Sequence, residues 1–212
     1  MMHRLAALGS GLVLYGVAIA LMLRAGIGVS PWEVFSQGIA LRTDLPFGLV
    51  TNLIGLIVLL LWVPLRQRPG LGTVLNVLAV GTTAQAALAV IPELGGLAAR
   101  VSTFAAGVLL LACASGLYIA PGFGSGPRDG LMTGLHARFG IPIWAARSAV
   151  EVSVTFAGWL LGGNLGVGTL VFAATIGPLC GRTLPWFAAR IPGPGEPEQH
   201  PVRVTAGTAP GC

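Results

Sequence analysis

The sequence predicts an all-α membrane protein with six transmembrane helices, arranged as two inverted three-helix repeats that each carry a short re-entrant or interfacial helix. Three observations predict it: too little charge for a soluble surface, six apolar blocks of membrane-span length, and a glycine and proline pattern that recurs 96 positions later. The 212 residues are 54% hydrophobic and only 9% charged, against about 25% charged in soluble domains. Mean hydropathy is +0.83. The apolar blocks lie near 6–24, 47–65, 72–91, 101–120, 143–162 and 167–188, and a bilayer core needs roughly 20 apolar residues per helix. Only helices or closed barrels satisfy every backbone polar group in lipid. The run LVTNLIGLIVLLLWVPL (49–65) lacks the two-residue alternation of a barrel strand, so helices are expected.

Along the chain, the block 6–24 follows a small basic start (His3, Arg4), as the core of a signal peptide does. It is nonetheless as long as a span and has an internal counterpart at 101–120, so it reads as the first helix. Next comes GIGVSPWEVFSQGIALRTDLP (26–46), too polar for a simple span. Ser30, Pro31 and Glu33 have the spacing of a capping box with proline at the first helical position, which predicts a helix of about three turns ending near Gly38 to Arg42. The blocks 47–65 and 72–91 complete the first half. The second repeats the order: 101–120, then GFGSGPRDGLMTGLHARFGIP (122–142), with Gly126 as cap and Asp129 at the third helical position, then 143–162 and 167–188.

Shifting the chain by 96 residues aligns Gly11 with Gly107, Gly26 with Gly122, Gly28 with Gly124, Pro31 with Pro127, Gly38 with Gly134, Arg42 with Arg138 and Pro46 with Pro142. Gly70, Gly72, Thr73 and Gly81 align with Gly166, Gly168, Thr169 and Gly177. Glycine and proline in a fixed order imply shared backbone geometry. Three spans per half force the second half into the membrane upside down, hence units at 1–96 and 97–190, followed by a proline- and glycine-rich cytoplasmic tail, 191–212, expected to be disordered. Inverted repeats recur in secondary transporters, with the site between them.

All twelve basic residues are arginine, and the net charge is +5. Arg4, Arg66, Arg68, Arg128, Arg138, Arg182, Arg190 and Arg203 fall on one side of the expected topology, and Arg24, Arg42 and Arg100 on the other. That is the positive-inside pattern with both termini cytoplasmic, so the basic charge reads as topogenic and nucleic acid is not an expected partner. Cys113 and Cys180 lie in spans and Cys212 ends the chain, without disulfide or metal-ligand spacing. No nucleophile constellation or phosphate-binding loop is present; no enzyme activity, cofactor or metal is expected.

The candidate substrate-binding residues are Gly26, Gly28, Ser30 and Glu33 at the first short helix, Gly124, Gly126, Arg128 and Asp129 at the second, Thr73 and Thr169 in the GxGT starts of the third spans, and Arg147 with Glu151. Glycine-led helix starts present backbone amides and a partial positive charge to an anion, although they also serve close helix packing. A carboxylate within an apolar run marks a functional site by default, with a structural staple between helices as the alternative, and Arg147, four residues before Glu151, or Arg128 is its expected partner. Asn52, Asn76 and Gln85 are expected to bond between helices, and Trp62, Trp144, Trp159 and Trp186 to anchor at the membrane interface.

At GIGVSPWEVFSQG (26–38), RPGLGT (68–73), GSGPRDGLMTGL (124–135), GWLLGG (158–163), GVGT (166–169) and IGP (176–178), the chain resembles the bacterial YczE/YyaS/YitT-type integral membrane proteins, closest to the YczE-like branch. The resemblance implies a multi-pass protein of the bacterial cytoplasmic membrane and carries no substrate with it. The function expected is transport of a small solute, an anion or weak acid, at a site between the repeats. The alternative is a non-transporting membrane protein that supports or regulates a partner complex. The expected partners are the lipid bilayer, an unidentified solute and, in a homodimer, a second copy.

Overall fold

The computed structural model describes residues 1–191, and among them the chain is helical, with no strand. The order is α1 (Met2–Ala25), α2 (Pro31–Thr43), α3 (Phe47–Leu60), α4 (Leu71–Val90), α5 (Leu97–Ile119), α6 (Pro127–Phe139), α7 (Ile143–Leu160) and α8 (Val167–Ala188). The expected tail lies outside the described residues apart from Ile191. Four helices, α1, α4, α5 and α8, are long and apolar enough to cross a membrane; a fifth crossing exists if α2 and α3, bent by 119°, form one broken span. The six spans expected are therefore not all present as long helices. The 14 residues of α3 rise about 21 Å at 1.5 Å each, short of a hydrocarbon core of about 30 Å. The 18 residues of α7 carry Arg147 and Glu151, which lower its apolar character.

The short helices begin where the sequence places them, each with proline in its first turn and 13 residues long. The expected capping box does not form. Ser30 is the N-cap with an extended backbone, but its side chain makes no capping hydrogen bond, and the Glu33 carboxylate that would reach back to it binds Arg128 instead.

At the centre, α1 packs along α5. A Cβ on Gly11 would lie 2.8 Å from the Tyr118 nitrogen, and one on Gly107 would lie 2.8 Å from Met22 Cγ. These contacts pair the start of each helix with the end of the other, so the helices run antiparallel. Ala18, Ile19, Met22, Ala25 and Val29 are fully buried along this seam. Outward, α4 covers α1 and α8 covers α5, while α2 packs on α7 and α6 on α3.

The last two contacts are filled in opposite ways. Gly158 of α7 lets the Val34–Phe35 backbone of α2 approach, whereas at the corresponding junction the Trp62 ring, just after α3, lies over Gly130 of α6. Trp62 is therefore buried, 4% exposed, with its indole N–H donating to the Pro127 carbonyl at 3.0 Å; it does not anchor at the interface as expected. Trp144, Trp159 and Trp186 are exposed. Replacing Trp62 by Phe removes the donor and leaves the Pro127 carbonyl without it, an expected loss of about 1–3 kcal/mol seen as a lower unfolding midpoint in detergent. An unchanged midpoint would show that this bond does not hold α6 in place.

Candidate functional site

Two joints set the frame of the site. The loop before α6 docks on the start of α4: the Gly72 N–H donates to the Phe123 carbonyl at 2.8 Å, and the Thr73 hydroxyl donates to the Ser125 carbonyl at 2.7 Å. The loop before α2 docks in the same manner on the start of α8. Gly168 N–H donates to the Ile27 carbonyl at 2.8 Å, and the Val29 N–H donates to Thr169 Oγ1 at 3.2 Å. Gly28 and Gly124 sit at φ 125° and 115°, a region costly for any side chain. A Cβ on Gly28 would lie 2.6 Å from the Thr169 nitrogen. The GxGT segments and loop glycines thus close backbone-to-backbone joints, and Gly28, Gly124, Thr73 and Thr169 are outside the cavity wall. Gly26 ends α1 in the left-handed region.

Between these joints is a cavity of ≈ 390 Å³, within the usual range for small-molecule sites, about 300–1,000 Å³. The starts of both short helices reach it, at Ser30–Trp32 and Ser125–Asp129, and α1, α3, α4, α5, α7 and α8 complete the wall. Of the candidates from sequence, Ser30, Gly126, Arg128, Asp129, Arg147 and Glu151 line it. Glu33 stands behind them, 1% exposed, and binds Arg128 at 2.7 Å. The Arg128 guanidinium also lies over the Trp32 ring, 5.1 Å from its centroid. Arg147 pairs with Glu151 at 2.9 Å, as the spacing predicts. Both cavity guanidiniums are therefore already paired. Asp129 has neither ion pair nor hydrogen bond among the described residues. A Cβ on Gly126 would lie 3.0 Å from the Tyr118 hydroxyl, 3.6 Å from Asp129 Oδ2 and 3.7 Å from Asn76 Nδ2; glycine here keeps the space among these three polar groups open.

The two halves differ in one contact that shapes the cavity. α3 packs tightly on α4, where the Gly48 and Gly81 backbones meet closely. Asn52 Nδ2 donates to the Leu78 carbonyl at 3.1 Å and to Thr82 at 3.0 Å, the Gly81 N–H donates to Asn52 Oδ1 at 2.9 Å, and the Gly48 N–H donates to Gln85 Oε1 at 3.0 Å. Asn52 and Gln85 thus bond between helices as expected, while Asn76 faces the cavity. In the second half these positions hold Trp144, Ser148, Gly177, Pro178 and Gly181, which cannot form such a polar clasp. There α7 and α8 make no packing contact comparable to that of α3 and α4, and neither Gly177 nor Gly181 has a neighbour where a Cβ would point.

Sequence reasoning missed Tyr15, Thr51 and Tyr118 in the wall. Tyr15 and Tyr118 sit in apolar runs and carried no signal. Thr51 aligns with Arg147 across the 96-residue shift, the one clue that its position matters.

Comparison with known proteins places residues 2–184 within a family profile described as a family of unknown function, DUF6198. The chain is similar to an uncharacterized protein of Haemophilus influenzae, 39% identical over 166 residues that make up 78% of this chain and 76% of that protein. It is also similar to the uncharacterized membrane protein YczE of Bacillus subtilis, 29% identical over 178 residues covering 83% of each chain. No solved structure matches.

Proposed function

We propose that this chain, which belongs to the DUF6198 family, is a small-solute transporter of the bacterial cytoplasmic membrane, built as an inverted repeat with its site in the cavity between the halves. One observation carries the reading. α3 is clasped onto α4 beside the cavity, whereas α7 and α8, which both line it, make no comparable contact, although the halves share one sequence pattern. A two-fold related pair of gates, one closed and one open, is what alternating access about a central site requires.

The symmetry is supported by contacts that exchange partners under the 96-residue shift. Gly11 with Tyr118 becomes Gly107 with Met22, and Gly72 with Phe123 becomes Gly168 with Ile27. Such exchange describes a two-fold axis perpendicular to the antiparallel α1 and α5, which lies in the membrane plane if these helices span it. The positive-inside distribution of the loop and terminal arginines supports an orientation with both termini in the cytoplasm.

The test is uptake into proteoliposomes of labelled small anions, amino acids and amines under an imposed proton gradient, with protein-free vesicles as the baseline and Glu151→Gln as the variant. The transporter reading expects accumulation several-fold above baseline for at least one solute class, reduced in the folded variant. Baseline uptake across all classes would sink it in favour of a protein that supports a partner.

A further inference from the structure

We propose that the cavity binds a small organic monocation, its ammonium group held by the Asp129 carboxylate beside Tyr118, and not the anion that its glycine-led helix starts first bring to mind. The inference rests on the transporter reading of the same cavity and names its ligand class.

Its first support is the charge balance. The cavity wall and the layer directly behind it hold two guanidiniums, Arg128 and Arg147, and three carboxylates, Glu33, Asp129 and Glu151. Each guanidinium is within 3 Å of one glutamate, at 2.7 and 2.9 Å, so the unmatched formal charge is that of Asp129. The helix starts offset little of it. Glu33 and Asp129 occupy the first turns of α2 and α6, where an acidic residue already answers the helix dipole with about 0.3–1 kcal/mol. A carboxylate left without a partner in a protein-lined cavity is costly, and a cation, like a proton, relieves that cost.

The second support is an unpartnered oxygen. Thr51 is 5% exposed and lines the cavity, and its hydroxyl has no hydrogen-bond partner. The Tyr118 hydroxyl stands beside the carboxylate across Gly126, and the unsatisfied Thr51 oxygen in the same wall leaves a polar group for a ligand's N–H to complete once it reaches it.

The third support is the rest of the wall. Tyr15 and Tyr118 meet edge to face with centroids 5.9 Å apart, and Phe172 and Ile176 line the cavity with them. Aromatic faces attract cations, while an apolar wall suits a carbon skeleton and gives a bare metal ion nothing.

The experiment is thermal unfolding of the purified full chain with benzylammonium, benzoate or benzyl alcohol, three probes of similar shape and different charge. Benzylammonium at a hundredfold excess over its Kd is expected to raise the midpoint by about 5 °C or more, with neither other probe doing so. The rise should vanish in Asp129→Asn, return at least in part in Asp129→Glu and persist in Asp44→Asn, a control in an exposed loop. If Asp129→Asn fails to fold, the charge preference of the wild type still decides. A rise with benzoate, no rise with benzylammonium, or a rise that survives in folded Asp129→Asn would overturn the proposal. The same probes in proteoliposomes separate the two readings. Amine binding without uptake leaves the cation site standing and removes transport, whereas anion uptake without amine binding does the reverse.

Discussion

Arg128→Ala is expected to lower folding stability by about 3–5 kcal/mol, the usual result of removing one partner from a buried ion pair. Glu33 is 1% exposed, and its carboxylate is held by Arg128 at 2.7 Å. Truncating the arginine strands that charge between α2 and α6 and also removes the cation over the Trp32 ring, worth roughly 0.5–2 kcal/mol. The measurement is the unfolding midpoint in detergent for Arg128→Ala, Glu33→Gln and the double variant. Because the cost lies in an unpaired charge, the double variant should be more stable than Arg128→Ala alone. A double variant no better than the single one would show that the pair contributes packing and not charge compensation.

The second large effect is a difference between matched glycines. Gly81→Ala should destabilise by about 1–3 kcal/mol, as inserting a methyl group into a filled interface does, since the new Cβ would collide with the Gly48 carbonyl and with Asn52 Oδ1. Gly177→Ala, at the position 96 residues later, meets nothing within 4 Å, and alanine favours a helix over glycine by up to about 1 kcal/mol. It should be neutral or mildly stabilising. Opposite signs at aligned positions report directly that the α3–α4 contact is closed and its α7–α8 counterpart open. Equal destabilisation would mean that α7 closes on α8 in the purified protein and would remove the asymmetry on which the transport reading stands.

Much of the local structure was legible because it depends on local physics. Pro31 and Pro127 at helix starts, and α2 and α6 as separate short elements, follow from fixed φ and a missing N–H. The Arg147–Glu151 pair follows from one helical turn of spacing. Other expectations failed because they assigned to one element what a distant one decides. Glu33 had capping spacing but found a stronger partner in Arg128, 95 residues away. Trp62 stood at a span end, as an interface anchor does, but Gly130 of α6 leaves room for its ring. The span at 143–162 is present as a helix but carries an ion pair, and the one at 47–65 ends early.

The sequence by itself determined a helical membrane protein with duplicated punctuation, because hydropathy and glycine or proline geometry act within a few residues. Only the tertiary structure decided that α3 packs on α4 while α7 makes no such contact with α8, that the GxGT glycines close joints and do not face the cavity, and that Asp129 is the carboxylate left without an arginine ion pair. Each of these depends on which backbones and charges meet across the fold. Spacing along the chain fixes the distance between neighbours on one helix, but it cannot rank partners on different helices, where a difference of a few kcal/mol in packing or desolvation decides the pairing.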